Sequence, residues 1–524
     1  MNTGIHGVHQ YITIHNYAKA SFGARIILMK KTAENTAIPP EICEVVETLE
    51  KGGYEAYLVG GCVRDIFLGK NPKDWDITTN ANPEQIISLF PKTFYENTFG
   101  TVGVVNEMIE DPTLKVVEVT PYRLESSYSD FRHPDEVKFS KKLEDDLKRR
   151  DFTINAIAVT LSNGAIKDVV DLYGGIKDIK DRIIKAVGNA DDRFTEDALR
   201  IMRAVRLAND LCFTINIDTE RAIQSHSSLL KKISSERIRD EFVKVIMSKE
   251  PKKGIELMEK LGILSLIIPE LVEAKGVEQN QAHAYDVWEH LLRTLQHSAD
   301  KEWPLEIRLA SLFHDISKPE TRRVSHETKQ FTFYGHEVVG SRVTKKILER
   351  LKFPSKTIEK VVTLVRWHMF FSDTETITLS AVRRMVANVG KDNIWDLMNV
   401  RICDRIGTGR PKENPYRLRK YKSMVEEALR DPISVAMLKI DGKRIMEVTH
   451  ETPGPKIGYV LNALLEEVLE NPKLNEAEYL EDKAMKLVKM PEKDLKNLAE
   501  KAKEKNMELE EGNIEEIRKK YHVS

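Results

Sequence analysis

The chain has 524 residues, of which 41% are hydrophobic, so it can form several cores and we expect about three or four domains. No stretch approaches the roughly eighteen uninterrupted apolar residues that a membrane span needs. The net charge of −1 excludes a protein that is basic overall, so any nucleic-acid contact must come from a local patch. Four scattered cysteines fit neither a disulfide scaffold nor a zinc ribbon, and we expect a cytoplasmic protein with no membrane partner.

The first segment of the chain differs from the rest. Residues 1–33 contain no Asp or Glu and show little hydrophobic periodicity. Such a composition is found in organellar targeting peptides, but a start site assigned upstream of a natural Met29 explains it equally well. We therefore set residues 1–37 apart as an N-terminal extension that is either unstructured or wrongly assigned.

Strands and helices alternate in the next part of the chain. Pro39 and Pro40 are expected to open a helix that ends near Gly52, and residues 56–59 form a short apolar run typical of a buried strand. Further strands are predicted at 101–105, 115–120, 154–160 and 165–170, with helices between them, which is an α+β pattern. We assign residues 38–178 to this α+β head.

The remainder of the chain shows a different periodicity. Beyond about residue 178, apolar residues recur at spacings of three and four, which predicts helices throughout. Breaks near prolines and shifts in composition suggest three further divisions. We predict a helical neck at 179–275, a helical body at 276–410 and a helical tail at 411–524.

A glycine pair follows the first predicted strand. Gly60 and Gly61 have no Cβ, so the backbone there can approach a ligand closely, and Arg64 lies one helical turn further on. This arrangement suits a triphosphate. Taken alone, however, a Gly-Gly segment between a strand and a helix is more often only a turn.

Two carboxylates follow shortly after the glycines. Asp74 and Asp76 are two residues apart, and in an extended strand such residues point to the same side, where both can hold one divalent cation. Phosphoryl-transfer sites commonly add a third carboxylate from a neighbouring strand, and Glu118 is our candidate. The alternative is that Asp74 and Asp76 are turn residues and that Glu118 is a solvated strand residue.

The combination of Gly-Gly-x-x-Arg-Asp with Asp-x-Asp ten residues later resembles the head of class II CCA-adding enzymes and bacterial poly(A) polymerases. The resemblance extends over roughly residues 38–245 and includes segments at 120–123, 128–134, 149–156, 171–175, 195–206 and 235–238. It implies a polymerase-β-like nucleotidyltransferase head with a mixed sheet, followed by an all-α neck, body and tail. It also implies a set of nucleotide-binding residues: Gly60, Gly61, Arg64, Asp65, Arg150, Asp151, Asn155, Asp197, Arg200, Arg203 and Arg206.

In the family that the chain resembles, two of these residues read the incoming base. Asp197 and Arg200 lie three apart on a predicted helix, where an acceptor and a fork of donors can imitate a Watson–Crick edge. The alternative for Arg200 is an ordinary pair with Glu196. The resemblance implies that Arg150 and Asp151 recognise the ribose 2′-hydroxyl, and the alternative there is a buried ion pair between head and neck.

A second candidate metal site lies in the helical body. His290, His314, Asp315 and Asp404 occur in an order that resembles the HD phosphohydrolase superfamily, with His336 and His368 also available. Such ligands suit one transition metal ion, such as Ni²⁺, Mn²⁺ or Zn²⁺, provided that the helix opens at the His-Asp pair. The site could be structural, or it could hydrolyse phosphoesters.

The basic run between Arg410 and Lys422 offers a local surface for RNA, and a helix start at Pro453-Gly-Pro provides a possible phosphate contact. Together these features predict an enzyme that adds CCA to the 3′ end of tRNA from CTP and ATP, with Mg²⁺ bound at the head. The alternatives are a poly(A) polymerase or an A-adding tRNA nucleotidyltransferase, and an HD-domain phosphohydrolase whose head recruits RNA. A non-catalytic RNA-binding protein fits less well, and the sequence leaves the oligomeric state open.

Overall fold

The structure is a computed structural model that describes residues 37–95, 100–125, 137–279, 284–325, 330–370 and 377–498. The chain divides into two compact units. The N-terminal unit comprises residues up to 245 together with 256–266, and the C-terminal unit comprises 246–255 and the residues from 267 onward. The division into five domains that the sequence suggests stays a prediction.

The first half of the chain contains both strands and helices. In chain order they are α1 (Pro40–Lys51), β1 (Ala56–Val59), α2 (Gly61–Phe67), β2 (Asp76–Thr79), α3 (Pro83–Leu89), β3 (Thr93–Tyr95), β4 (Val102–Val105), β5 (Val116–Pro121), β6 (Arg123–Glu125), β7 (Val137–Phe139), α4 (Leu143–Lys148), β8 (Ile157–Ser162), β9 (Ala165–Asp171), α5 (Gly175–Asp181), β10 (Ile183–Ile184), α6 (Ala190–Glu196), α7 (Leu199–Leu211), β11 (Thr214–Ile215), α8 (Ile217–His226), α9 (Ser235–Met247), α10 (Pro251–Lys260) and α11 (Leu264–Ile267).

The head is built on a seven-stranded mixed sheet with the order β3-β4-β5-β2-β1-β8-β9. The β2 and β5 strands are parallel, and the other neighbours are antiparallel. Alternation of side chains explains why β5 can carry a polar residue: Val117 and Val119 are fully buried on one face, while Glu118 points to the other. The expected α+β head is therefore confirmed.

Two parts of the head differ from the sequence-based expectation. The strand expected to begin at Ile154 begins at Ile157, because residues 153–155 form a 3-10 turn with buried side chains. The β10 and β11 strands pair in parallel beyond residue 178, where only helices were expected. Each of these two strands has only two residues, which is too short for hydrophobic alternation to reveal.

The second half of the chain is mostly helical. Its elements are α12 (Pro269–Val272), α13 (Val287–Asp300), α14 (Leu305–Phe313), α15 (Lys318–Thr321), β12 (Arg323–Val324), β13 (Phe331–Thr332), α16 (His336–Arg350), α17 (Ser355–Trp367), α18 (Leu379–Val389), α19 (Ile394–Gly407), α20 (Tyr416–Ala428), α21 (Gly442–Thr449), α22 (Pro455–Glu470) and α23 (Ala477–Leu487).

The C-terminal unit contains a capped helix that carries His290 and, farther along the chain, a separate hydrophobic core. The α13 helix starts at the N-cap Asp286, whose carboxylate accepts the backbone N–H of Glu289 at 2.8 Å, and the helix packs against α14 and α19. Farther along the chain, α21, α22 and α23 enclose a separate core that includes Ile445 and Leu464. Within the described ranges, no helix is long and apolar enough to cross a membrane.

Candidate functional site

The glycine turn lies directly against the first strand carboxylate. Gly60 follows β1 with φ +84°, a backbone conformation that favours glycine, and α2 begins at the next residue. A Cβ atom at Gly60 would lie 2.9 Å from Asp76 Oδ2 and 3.2 Å from Arg150 Nη1. The absence of a side chain therefore keeps open the space beside this carboxylate and this guanidinium.

The strand register brings two of the three predicted carboxylates together. Asp76 is the first residue of β2, and its register partner on the parallel strand β5 is Glu118. Paired residues of adjacent strands point to the same face, so these two half-buried side chains share one side of the sheet. Asp74 is exposed and lies in a bend before β2, so it is not part of an extended strand as the spacing suggested.

The arginine after the glycine turn is held by side chains. Arg64 donates from Nε to Asp65 Oδ1 at 2.9 Å and from Nη1 to Asn155 Oδ1 at 2.9 Å. Asn155 in turn donates to Asp151 Oδ1 at 3.2 Å. The structure thus links the phosphate-turn residues to the predicted ribose-binding residues, which are about 90 positions apart in sequence.

Asp151 is buried and forms an ion pair with a residue of the neck whose side chain is 37% exposed. Both Nε and Nη2 of Arg203, on α7, donate to Asp151 Oδ2, at 2.8 and 2.6 Å, and the backbone N–H of Phe152 donates to Oδ1. Burial by itself would raise the pKa of Asp151, but the Arg203 guanidinium outweighs it and lowers the pKa to about 2. An ion pair between head and neck is therefore present, with a buried carboxylate and a partly exposed guanidinium.

Arg150 has a separate partner. Its guanidinium donates to Asp146 Oδ2 at 3.0 Å from Nη2, and Asp146 also accepts from Arg149. Asp146 is fully buried, yet the two guanidinium groups overcome the effect of burial and lower its pKa. This carboxylate holds Arg150 in position beside Gly60.

The expectation of one helix through Asp197 and Arg200 is wrong. The α6 helix ends at Glu196, α7 begins at Leu199, and Asp197 has extended backbone with φ −137°. Asp197 accepts from both Nη atoms of Arg237, at 2.9 and 3.4 Å, while Arg200 donates to Glu196 at 2.6 Å. In the predicted base-reading pair, Asp197 is therefore bonded to Arg237, and Arg200 is bonded to Glu196.

Arg237, which the sequence did not single out, contacts the predicted site residue Asp197. It was matched only as part of a family helix, and its distance of 40 positions from Asp197 gave no signal that the two would meet. Arg206, expected to reach phosphates, lies 2.7 Å from a carboxylate oxygen of Glu241 through its Nε. The predicted segment at 128–134 lies outside the described residues.

The second candidate centre lies in the C-terminal unit. His290 is on α13 and Asp404 on α19, while His314 and Asp315 follow the last residue of α14, where the helix opens into a turn. The opening that the His-Asp pair requires is therefore present. His290 Nε2 lies 2.9 Å from His314 Nε2, 3.1 Å from Asp315 Oδ2 and 3.5 Å from Asp404 Oδ1.

The buried charges of this centre perturb one another. Burial would lower the pKa of His314, but the neighbouring Asp315 and Asp404 outweigh it and raise the pKa to about 9. Burial lowers the pKa of His368 to about 4. Among the described residues, two groups of three side chains have ligand atoms within 4.8 Å of one another, and both groups belong to this cluster. These groups could hold a metal ion.

Three family models match the chain. The poly A polymerase head domain matches residues 56–185, the model described as "Probable RNA and SrmB- binding site of polymerase A" matches residues 212–275, and the HD domain matches residues 287–407. Each of these models covers less than half of the chain. The resemblance of the sequence to CCA-adding enzymes and poly(A) polymerases, with a C-terminal HD domain, is confirmed.

Curated proteins that match part of the chain are named CCA-adding enzymes. The chain is 46% identical over 236 residues to the enzyme of Lactiplantibacillus plantarum, a match that covers 44% of this chain and 53% of that protein. It is 40% identical over 271 residues to that of Leuconostoc mesenteroides, covering 50% of this chain and 65% of that protein. The chain thus spans little more than half the length of the first of these relatives.

A solved structure matches more of the chain. The CCA-adding enzyme of Bacillus stearothermophilus in complex with CTP matches 86% of this chain and 97% of its own, with a TM-score of 0.62 and 28% sequence identity. The polymerase-β-like fold predicted for the head is confirmed by the family match and by this neighbour.

Proposed function

We propose that the chain is a template-independent nucleotidyltransferase that adds CCA to the 3′ end of tRNA from CTP and ATP, releasing pyrophosphate. The observation that supports it best is the pairing of Asp76 with Glu118 on parallel strands, beside a glycine turn that places no Cβ next to Asp76 Oδ2. Relatives named CCA-adding enzymes and a structural neighbour in complex with CTP support the same substrates. The proposed location is the cytoplasm.

The residues of the head fit Mg²⁺. Asp74 and Asp76 would hold it, since hard cations prefer carboxylate oxygens and Gly60 provides the space that a Cβ would fill. When bound, Mg²⁺ would polarise the α-phosphate and offset the charge of the leaving pyrophosphate. The proposed role of Glu118 is that of a third carboxylate at the attacking hydroxyl.

The remaining residues bind and orient the nucleotide. The 3′-hydroxyl oxygen of tRNA would form a bond to the α-phosphorus while the bond to the bridging oxygen of the β-phosphate breaks. Arg64 and Arg150 lie next to the glycine turn and supply positive charge toward the phosphates. Holding both reactants in line supplies much of the rate enhancement in phosphoryl transfer.

Base selection is assigned to the junction between α6 and α7. Asp197 and Arg200 are the proposed readers, with Arg237 holding Asp197 and Glu196 holding Arg200. For Asp151, Asn155, Arg203 and Arg206, we propose that they shape the ribose and phosphate side of the pocket through the ion pairs observed.

A basic surface for tRNA is available in the tail. Arg417, Arg419 and Lys420 are exposed on α20 beside Tyr416, whose side chain is 66% exposed. Cations next to an aromatic ring suit an RNA backbone and its bases. We propose that this surface contacts tRNA.

The test is incubation of the full chain and Mg²⁺ with tRNAs that lack the 3′ end or terminate in C or CC, using CTP and ATP singly and together. We expect C, C and A to be added in order and addition then to stop. Addition of A alone would indicate an A-adding enzyme, and an open-ended A tail would indicate a poly(A) polymerase. Either result would contradict the proposal.

A pair of variants ties the activity to the head. Asp76→Asn should lower incorporation by at least about a thousandfold, because a metal-binding carboxylate is lost from the reacting centre. Asp168→Asn is the matched control, since this residue is on β9 of the same sheet and its side chain is 65% exposed. Equal activity of the two variants would refute the assignment of the site.

The buried His and Asp cluster supports a second, accessory activity, a metal-dependent phosphohydrolase in the HD domain with a transition metal such as Ni²⁺, Mn²⁺ or Zn²⁺. Its test is hydrolysis of phosphoesters, for example the opening of a terminal 2′,3′-cyclic phosphate on RNA to a 2′- or 3′-monophosphate. We expect Asp315→Asn to abolish that hydrolysis. Activity that survives in Asp315→Asn and is lost in Asp76→Asn would reject the HD domain as its source.

A further inference from the structure

An aromatic side chain lies in the same row of the sheet as two carboxylates of the head. Phe94 on β3 pairs with Gly103 on β4, and Gly103 pairs with Glu118 on β5. Glu118 in turn pairs with Asp76 on β2. Because residues opposite each other on neighbouring strands point to the same face, the ring of Phe94 shares its side of the sheet with both carboxylates.

The ring of Phe94 lies across the neighbouring strand, toward Glu118. A Cβ atom at Gly103 would overlap Cζ, Cε1 and Cε2 of Phe94, so the far end of the ring occupies the place of a side chain on β4. Neighbouring strands are about 4.8 Å apart, which puts this end of the ring roughly one strand spacing from the backbone of Glu118. Phe94 is nevertheless 42% exposed, whereas phenylalanine is usually buried.

The surface next to the ring is apolar. Val105 and Val116 pair with each other one pleat away from Gly103 and Glu118, on the same face of the sheet. Val116 is 37% exposed and Val105 is half-buried. An exposed ring beside aliphatic side chains suits the flat face of a nucleic-acid base better than a phosphate, because bases of every kind stack on aromatic rings.

The order of the strands decides which base would lie there. The β2 strand, with Asp76, has β1 and its glycine turn on one side and β5 with Glu118 on the other. The phosphates of the incoming nucleotide are assigned above to the glycine turn, and Glu118 is assigned to the attacking hydroxyl. The ring of Phe94 lies beyond Glu118, on the side away from the glycine turn. Its occupant is therefore the nucleotide that carries the hydroxyl, and not the one that carries the triphosphate.

We propose that Phe94 is a stacking platform for the base of the 3′-terminal nucleotide of the RNA that receives the addition. This inference rests on the proposed function, because that function assigns the attacking hydroxyl to Glu118. Stacking holds the terminal base and thereby positions the 3′-hydroxyl of the same nucleotide for the reaction. It uses no hydrogen-bonding edge of the base, so one ring can accept each successive 3′ end as the RNA grows.

The first test compares Phe94 with a ring on the other face of the same strand. Tyr95 is 52% exposed, and its partner Val102 is fully buried on the face opposite to Gly103, so Tyr95 points away from the carboxylates. In the full chain, Phe94→Leu should raise KM for a tRNA ending in C about tenfold and leave KM for CTP unchanged, because stacking is lost for the RNA only. Tyr95→Leu should change neither value. Phe94→Tyr keeps a ring and should behave like the wild type.

A tRNA that ends in an abasic nucleotide separates stacking from a structural role of the ring. If the ring only covered Gly103 near the edge of the sheet, Phe94→Leu would raise KM for both RNAs alike. We expect the wild type and Phe94→Leu to have the same KM for the abasic RNA, since it has no terminal base to stack. An equal increase with both RNAs, or no increase with either, would overturn the proposal.

Photocrosslinking tests the contact without catalysis. A tRNA ending in 5-iodocytidine is irradiated with the full chain in the absence of CTP and ATP, and the crosslinked peptide is identified by mass spectrometry. We expect a crosslink at Phe94 that falls at least about tenfold in Phe94→Leu and persists in Tyr95→Leu, because the reaction requires a stacked ring. A crosslink elsewhere, or one of unchanged yield in Phe94→Leu, would overturn the proposal. Failure of the wild type to add nucleotides would instead reject the proposed function, and the crosslink is measured independently of that result.

Discussion

Replacing Asp151 with Asn removes the charge of a buried carboxylate that pairs with Arg203, with little change in the volume of the side chain. In the folded chain Asp151 accepts two hydrogen bonds from Arg203, one from Asn155 and one from a backbone N–H, which together use the whole acceptor capacity of a carboxylate. Asp151→Asn leaves the Arg203 guanidinium without its main counter-charge. We expect the N-terminal unit to lose stability.

The size of the loss follows from the pKa of Asp151. A fall from about 4 in an unfolded chain to about 2 in the folded one corresponds to roughly 2.5 kcal/mol of stabilisation at neutral pH. Because folding lowers this pKa, the stabilisation is fully present above the unfolded value and is lost as pH falls. It should still be about 2.5 kcal/mol at pH 5 and roughly half of that at pH 3.

The assay must report on the N-terminal unit alone, since a chain of several domains does not unfold in one step. We would equilibrate each protein in urea at pH 7, 5 and 3, apply a short deuterium pulse at fixed pH, and measure labelling of peptides from α7 (Leu199–Leu211) by mass spectrometry. The expected difference between wild type and Asp151→Asn is about 2.5 kcal/mol at pH 7 and about half of that at pH 3.

The matched control is Asp218→Asn, which also breaks a carboxylate–arginine contact. Asp218 lies 3.6 Å from Arg221 and both side chains are more than 70% exposed, so solvent screens the pair and the change should stay within about 0.5 kcal/mol. A loss in Asp151→Asn no greater than that of the control, or one that does not vary between pH 7 and pH 3, would refute the reasoning.

Three further substitutions probe close approaches and positioning. Gly60→Ala should lower kcat/KM for nucleotide addition by about 10- to 100-fold, because the new Cβ displaces the carboxylate of Asp76. The control Gly164→Ala is also at positive φ but has no atom within 4 Å, so it should cost about 1 kcal/mol of stability and keep kcat/KM. Equal kcat/KM values for the two variants would contradict the role of the turn. The lysine of Arg237→Lys cannot hold Asp197 with two donors, so discrimination between CTP and UTP should fall about tenfold in single-nucleotide incorporation. Unchanged selectivity would reject the positioning role of Arg237. The Cβ of Gly175→Ala would overlap the backbone carbonyl of Thr153 in the 3-10 turn, so this variant should destabilise the N-terminal unit by about 2–3 kcal/mol in urea unfolding. A loss of less than about 1 kcal/mol would show that the backbone shifts to make room.

Local patterns predicted the parts of the fold that depend on neighbours in sequence. The Pro39–Pro40 start and Gly52 bound α1 as expected, and the apolar run at 56–59 is β1. Glu118 was proposed as a residue of a neighbouring strand, and the register places it opposite Asp76. These predictions succeeded because strand alternation, helix caps and glycine turns are set by a few adjacent residues.

The contacts that connect distant segments could not be predicted in the same way. Asp151 meets Arg203 across 52 positions, and the break at Asp197 is stabilised by Arg237 across 40 positions. The three-residue spacing of Asp197 and Arg200 is compatible with a single helix, so it gave no sign that α6 ends at Glu196 and α7 begins at Leu199.

The HD cluster shows the same division. The sequence identified His290, His314, Asp315 and Asp404 by their order and treated His336 and His368 as extra residues. Only packing of the helices brought Nε2 of both within 3.5 Å of Asp315 Oδ1. The sequence by itself determined which residue types are present and in what order. The number of ligands that meet at one point was decided only by the packing of five segments, because each buried polar atom needs a partner that the chain supplies only after folding.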